Sequence, residues 1–207
     1  MNAVLEQVTA APLLSDEDRA RAEHYAVFSR LFASPPDAAF LSQLPALAAT
    51  WGKPDSALGQ AWLQLGTAAR SAGAEQVEDE YTRLFLTIGR PEIMLFGSYY
   101  IAGFLMEEPV VDLRADLAEL GLGRRQGVTE SEDHIAALSD VMRHLIVTGP
   151  DAAGLARQKA FFEGHIAPWA SALADALEKA PDSQFYSRSA DLLRAFFDIE
   201  RLAFDML

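Results

Sequence analysis

The chain of 207 residues contains no cysteine. This absence excludes disulfide bonds, zinc–thiolate sites, iron–sulfur ligation and thiol nucleophiles, and it is compatible with a reducing cytoplasm. Long apolar runs are also missing, since uncharged stretches such as 93–106 are too short to span a membrane. A secretory signal peptide has a basic region followed by an uninterrupted apolar region, and Glu6 does not fit this pattern. We therefore expect a cytoplasmic protein without membrane insertion.

Positive charge is scarce as well. The chain has 17 lysines and arginines against 30 aspartates and glutamates, a formal net charge of −13. Nucleic acids and anionic membranes attract proteins mainly through cations, so this balance argues against both as partners. It favours a cationic partner, although the same charge would also serve solubility alone.

The apolar residues, half of the chain, recur at helical spacing with little strand-like alternation. We therefore predict an all-α protein, a single-chain bundle of roughly 9–12 helices. The clearest stripe is formed by Val77, Tyr81, Leu84 and Phe85. Ser15 is typical of an N-cap and predicts the start of the first helix.

The passage from Gly121 to Gly127 is the most linker-like part of the chain. It predicts a hinge between an N-terminal helical subdomain, 1–123, which holds an aromatic segment, and a C-terminal helical subdomain, 124–207, together forming one domain. Beyond it, Thr129 and Glu132 match a T-x-x-E capping box and predict the start of the next helix.

Two further helices are predicted near the C-terminus. One presents Phe162, Trp169 and Leu177 on a single face, with a kink at Pro168. The last begins near Ser187 or Ser189.

Motifs that carry catalysis are missing. No Glu-x-x-His or H-x-x-x-H metal pair, no phosphate-binding G-x-x-x-x-G-K-[ST] loop and no G-x-S-x-G nucleophile elbow occurs in the sequence. We therefore predict a protein that is not an enzyme and has no metal site or cofactor of its own.

The densest polar cluster consists of Glu130, Glu132, Asp133 and His134. Such carboxylates could simply complement the positive end of a helix dipole. They could equally receive a guanidinium in bidentate fashion, with His134 switching the cluster with pH. The preceding arginine pair, 124–125, is interpreted as a solvated turn or as a counter-charge to this cluster.

Two motifs carry a family resemblance. Tyr81-Thr-Arg-Leu84-Phe85 matches an aromatic-x-x-Leu-Phe box, and residues 130–134 match a Glu-Pro-x-Asp-His box with Ser131 in place of the proline. Between them lies Gly97-Ser98-Tyr99-Tyr100, which is similar to a Ser-Val-Tyr-type segment. In this order, the chain resembles the TorD/DmsD-type redox-enzyme maturation chaperones, which are related to the NarJ group.

The resemblance implies an all-helical bundle with a hinge near the second box. It also implies a cytoplasmic chaperone that binds the twin-arginine signal peptide of a molybdenum-cofactor oxidoreductase and assists cofactor insertion and folding before export. The molybdopterin-type cofactor would belong to this client, weak GTP binding would be compatible with the family, and the chain would be a monomer or a domain-swapped homodimer. The alternative is a non-catalytic helical adaptor or regulator that binds another basic peptide or protein.

The resemblance also implies the site residues. Asp133 and His134, flanked by Glu130 and Glu132, would form the polar end of the signal-peptide site, with Ser98 and Tyr99 as neighbours. The other box would contribute either to the core or to an apolar wall of the site through the residues Tyr81, Leu84 and Phe85.

Overall fold

The computed structural model describes residues 14–86, 91–124 and 130–207. These ranges contain ten helices and no β-strand, which confirms the predicted all-α class and helix number. No helix within them is both long and apolar enough to cross a bilayer. In chain order the helices are α1 (Asp16–Ala33), α2 (Ala38–Trp51), α3 (Ala57–Ser71), α4 (Ala74–Phe85), α5 (Gly97–Ala102), α6 (Glu108–Glu119), α7 (Ile135–Thr148), α8 (Ala152–His165), α9 (Ala167–Lys179) and α10 (Phe185–Asp205).

Several helices begin at caps that the local sequence supplies. The side chains of Ser15, Asp37 and Ser56 each accept a hydrogen bond from the backbone N–H three residues later, at 3.0, 2.7 and 3.1 Å. Each bond satisfies one of the N–H groups that a helix start leaves without an intrahelical acceptor. The predicted cap at Ser15 is thus confirmed.

The helices share one apolar core. The last helix, α10, packs against α9, α3, α4 and α1, while α1 lies along α7 and α2 packs on α3. The stripe predicted on α4 is buried, from Val77 to Phe85. Helices from both sides of the predicted boundary therefore contribute to the same core. Residues 125–129 lie outside the described ranges, so the subdomain boundary and the hinge at Gly121–Gly127 stay predictions.

The junction of α8 and α9 differs from the sequence prediction of one kinked helix. α8 ends at His165 and α9 begins at Ala167, with Pro168 in the first turn. Proline is tolerated there because the N–H it lacks would have no intrahelical acceptor. Phe162 and Trp169, predicted on one face, are buried in two successive helices.

The start of α10 is set by a distant carboxylate. Glu80 on α4 accepts hydrogen bonds from the backbone N–H groups of Gln184, Phe185 and Tyr186 at 3.0, 3.0 and 2.9 Å. A negative charge at this position also complements the helix dipole. The helix therefore begins at Phe185, slightly earlier than the serines of the sequence predict.

A buried ionic group ties α1 to α10. Glu200 is 1% exposed and accepts hydrogen bonds from Arg21 Nε at 2.6 Å, Arg21 Nη2 at 2.9 Å and the Tyr25 hydroxyl at 2.9 Å. Arg21 Nη1 also donates to Gln158 on α8 at 2.9 Å. Burial, together with the charge of Glu200, raises the pKa of Tyr25 well above its ordinary value, so the phenol stays a donor.

We expect Arg21→Ala to destabilise the fold strongly, because it leaves the Glu200 carboxylate buried without its cation. Removing one partner of a buried pair costs about 3–5 kcal/mol. Urea unfolding followed by circular dichroism measures the loss. Arg19→Ala is the control, since this exposed guanidinium lies 3.9 Å from Asp16 and such pairs contribute about 0–1 kcal/mol. Equal losses in the two variants would contradict the importance of the buried pair.

Candidate functional site

Two of the motif segments meet in space although 35 residues separate them. The Gly97 N–H donates to the Asp133 carbonyl at 3.0 Å, and the Ile135 N–H donates to the Leu95 carbonyl at 2.9 Å. The backbone between these bonds forms an isolated antiparallel bridge. The junction places the start of α5 beside the start of α7.

This bridge also decides where α7 begins. The helix starts at Ile135, and His134 is its N-cap, with Nδ1 accepting from the Ala136 N–H at 3.1 Å. The predicted start with Glu132 in the first turn is wrong, because pairing with the segment before α5 keeps the backbone at His134 extended. Thr129, the other half of the predicted capping box, lies outside the described residues.

Asp133 is held at this junction by one of its two carboxylate oxygens. Asp133 is only 4% exposed, and its Oδ2 accepts a hydrogen bond from the Ser98 N–H at 2.8 Å. Oδ1 has no hydrogen-bond partner among the described residues. Ser98 is fully buried, and its Oγ accepts from the Met106 N–H at 3.2 Å. At Gly97 a Cβ would lie 2.7 Å from Trp169 Nε1, so only glycine fits this approach.

Asp133 and Ser98 line a cleft of about 630 Å³. It lies between α5, α6 and the junction of α8 with α9. Five carboxylates line it, and no lysine or arginine is among its described lining residues. Clefts lined by one sign of charge concentrate that field, so this one favours a cationic ligand. The lining consists of Gly97, Ser98, Ile101, Ala102, Glu107, Glu108, Pro109, Asp112, Leu113, Asp116, Asp133, Gly164, His165 and Pro168.

An exposed apolar segment, 101–106, adjoins the cleft and is called its apolar rim; Ile101 and Ala102 of this segment line the cleft. Ile101, Phe104, Leu105 and Met106 are all exposed, Phe104 to 71%. Contiguous apolar exposure of this kind marks interaction surfaces. Met106 has a φ of 60°, an uncommon conformation for a residue with a side chain, and its N–H is bound by Ser98. Ser98 therefore connects the apolar rim to Asp133 at the bottom of the cleft.

Four of the lining carboxylates were missed by the sequence predictions. They are Glu107, Glu108, Asp112 and Asp116, at the N-cap of α6 and along the helix. The signal was present, because residues 108, 112 and 116 are spaced four apart and share one helix face. An acidic face alone, however, is also typical of a helix that merely faces solvent.

The family is decided by a comparison with known proteins. A model of the nitrate reductase delta subunit family matches residues 52–175, more than half of the chain and the whole of the cleft lining. The chain belongs to the nitrate reductase delta subunit family. This confirms the resemblance to the TorD and NarJ chaperones predicted from the motifs.

Curated relatives agree with this assignment to the delta subunit family. A protein named Chaperone protein TorD from Photobacterium profundum is 26% identical over 130 residues, which cover 58% of this chain and 60% of that protein. A protein of the same name from Vibrio cholerae (El Tor Inaba N16961) is 26% identical over 136 residues, 62% of each chain. The matches thus span about three fifths of the length of these relatives.

A solved structure shows that the fold is shared. The crystal structure of a protein from Archaeoglobus fulgidus that is described as a redox enzyme maturation protein matches with a TM-score of 0.58. The superposition covers 95% of this chain and 99% of the other at 20% sequence identity. At this identity the likeness concerns the helical architecture.

The family's aromatic box lies in the core rather than at the cleft. Tyr81, Leu84 and Phe85 are buried on α4, and the Tyr81 hydroxyl donates to the Phe32 carbonyl at 3.0 Å. Burial raises the pKa of Tyr81 to about 12. These contacts join α4 to the end of α1, and none of the three residues lines the cleft.

Two other predicted site residues, Tyr99 and Glu130, do not line the cleft. Tyr99 is half-buried and packs edge to face on Tyr100 at 5.2 Å between ring centroids. Tyr100 in turn stacks on Trp169 at 5.5 Å. Glu130 is exposed and is not part of the lining.

Glu132 forms ion pairs with two arginines of the protein itself. Arg114 Nη2 lies 2.9 Å from its Oε2, and Arg124 Nε lies 3.8 Å from its Oε1. The hydrogen bond from Arg114 holds the pKa of Glu132 below its ordinary value. Arg124 thus acts as the predicted counter-charge, while Arg125 lies outside the described residues. Glu132 has less charge to offer a ligand than the other carboxylates of its cluster.

His134 does not act as the switch near neutral pH that the sequence suggested. It is 8% exposed and packs against Phe96, with ring centroids 5.0 Å apart. Burial lowers its pKa to about 4, and the opposing influence of Glu130 and Asp133 is smaller. The imidazole is therefore neutral at pH 7 and serves as the cap of α7.

A larger groove of about 990 Å³ lies between α3, α4 and the start of α10, and Arg83 of the aromatic box 81–85 is among its lining residues. Some of its charged groups are engaged within the protein: Arg188 binds Gln64 and Asp191, and Glu80 caps α10. Across the described ranges, no group of three or more metal-binding side chains is arranged around a common point.

We expect His134 to make stability depend on pH. Between pH 6.5 and about 4 the unfolded chain binds a proton at this histidine that the folded protein excludes, so the free energy of unfolding falls as the pH drops. His134→Asn keeps a cap acceptor and removes the titrating ring. Urea unfolding across this window should therefore show a fall smaller by about 2–3 kcal/mol.

His144→Asn is the matched control for this titration, because His144 is exposed near the end of the same helix. It should retain the pH dependence of the unsubstituted protein. An unchanged pH dependence in His134→Asn would mean that the folded protein protonates His134 freely.

Proposed function

We propose that this chain is a cytoplasmic maturation chaperone, not an enzyme. It binds the twin-arginine signal peptide of a molybdenum-cofactor oxidoreductase precursor and assists cofactor insertion and folding before export. Family membership and relatives named Chaperone protein TorD support the chaperone class. The molybdopterin-type cofactor belongs to the client in this proposal.

The observation that carries the proposal is the composition of the cleft. A buried Asp133 with one oxygen lacking a partner among the described residues lies beside further carboxylates and the exposed apolar rim 101–106. A twin-arginine leader carries the complementary features in one peptide, a pair of arginines followed by an apolar run. Guanidinium groups bind carboxylates in bidentate fashion, and the rim can cover the apolar run.

Approximate free energies indicate what the apolar rim and the carboxylates would each contribute to peptide binding. Burying roughly 400–600 Å² of apolar peptide surface yields about 10–15 kcal/mol gross. Ordering about ten peptide residues at 1–2 kcal/mol each offsets most of this gain. Charge-assisted hydrogen bonds then add about 1.5–3 kcal/mol each before desolvation. Apolar contact permits binding, and the arginine contacts select the peptide and its register.

Weak GTP binding, which the family resemblance implied, is not part of the proposal for this cleft. Its described lining offers five carboxylates and no lysine or arginine to a triphosphate. The carboxylates and the phosphates are both negatively charged, so the cleft would repel the triphosphate.

We expect the tagged chain, purified from its own host, to retain a molybdenum oxidoreductase precursor that still carries its leader. The acidic cleft should bind the leader itself, so deleting the leader from the precursor should abolish retention. Mass spectrometry of the eluted proteins measures both results. Retention that is independent of the leader, or of a different basic partner alone, would contradict the proposal and favour a general adaptor.

We expect Asp133→Asn to weaken binding of a synthetic twin-arginine leader peptide by about tenfold, because it removes one charge-assisted contact. The asparagine can still accept the hydrogen bond from the Ser98 N–H, so the junction should persist. Isothermal titration calorimetry measures the affinity. Asp140→Asn, an exposed carboxylate on α7 outside the cleft, should bind as the unsubstituted protein does. Unchanged affinity in Asp133→Asn would remove Asp133 from the site.

A further inference from the structure

We propose that the cleft recognises two arginines at two separate places. Asp133 binds one guanidinium at the base, and Glu108 with Asp112 binds the other along the wall formed by α6. This inference rests on the proposed function. It assigns a role in selectivity to α6, a helix that lies outside the family motifs.

The wall is built by the spacing of α6. Glu108, Asp112 and Asp116 follow one another at intervals of four residues, so they lie on one face with about 6 Å of rise between neighbours. All three line the cleft. Asp116 is engaged, because its Oδ2 lies 2.6 Å from Nε2 of His165. Glu108 and Asp112 form no side-chain hydrogen bond or ion pair with any other residue in the described ranges.

The base of the cleft supplies an independent indication of a ligand. Asp133 is 4% exposed, lines the cleft and leaves Oδ1 without a partner in the described part of the chain. A buried polar atom without a partner is costly, and a donor from a bound molecule would remove that cost. A guanidinium is suited to this role because it offers five N–H donors and keeps its charge.

The two acceptors suit adjacent arginines better than a single basic residue. In an extended peptide, successive side chains point to opposite sides, so two neighbouring arginines need acceptors in different directions. Asp133 lies on the loop before α7, whereas Glu108 and Asp112 lie on α6. Within the described lining no lysine or arginine competes for these carboxylates, unlike at Glu132.

The test compares two double variants that remove the same charge. Glu108→Gln with Asp112→Asn alters the wall, while Glu119→Gln with Asp140→Asn alters exposed carboxylates outside the cleft. Calorimetry is carried out with three synthetic leader peptides: one with both arginines and two in which either arginine is replaced by glutamine. Circular dichroism confirms that both variants are folded.

We expect the wall variant to bind the twin-arginine peptide about tenfold or more weakly, and the control variant to change affinity by less than about twofold. One of the two glutamine peptides should bind the wall variant and the unsubstituted protein equally, because it lacks the arginine that the wall holds. The other glutamine peptide should still lose affinity on the wall substitution.

The outcomes separate this inference from the proposed function. If the unsubstituted protein does not bind the twin-arginine peptide, the proposed function fails. If it binds while the wall variant treats all three peptides as the unsubstituted protein does, only the role of α6 is overturned. Equal weakening in both double variants would also overturn it, since the overall negative field would then account for the effect.

Discussion

The arrangement of the site depends on the short antiparallel junction between segments 95–98 and 133–135. Two backbone hydrogen bonds and the bond from the Ser98 N–H to Asp133 close the chain between them into one large loop. That loop carries the apolar rim and α6, while Asp133 and Ser98 lie at its base. The same pairing keeps the backbone before α7 extended and makes His134 its cap. Cleft, rim and helix start therefore share one cause.

The carboxylates behind the net charge of −13 differ in whether the protein itself provides partners for them. Some carboxylates are matched inside the protein: Glu200 by Arg21, Glu132 by Arg114, and Glu80 by backbone N–H groups of α10. These groups stabilise the fold and have little charge to offer a partner. The carboxylates of the cleft differ, because they face a space whose described lining holds no lysine or arginine. A cationic ligand would relieve their mutual repulsion, so the proposed function links the acidity of the sequence to binding rather than to solvation alone.

Much of the fold could be predicted because helix formation is read from nearby residues. The stripe of α4 and the cap at Ser15 each depend on residues within one or two turns, and both are present as predicted. The misplaced boundaries have a different origin. α7 begins late because of pairing with a segment 35 residues earlier, and α10 begins early because Glu80 caps it from α4. Such contacts leave no local pattern, so periodicity and capping rules cannot place these starts.

Only part of the cleft lining could be predicted, because a motif reveals only the residues that belong to it. Ser98 and Asp133 belong to recognisable segments and do line the cleft, whereas the wall residues Glu108 and Asp112 belong to none. An acidic helix face has the same spacing whether it faces solvent or a ligand, so its meaning depends on the opposing surface. Here that surface holds a buried Asp133 oxygen without a partner in the described ranges. In the proposed function, apolar contact along the rim would tolerate many sequences, so recognition of a particular leader would come from charges placed at fixed positions.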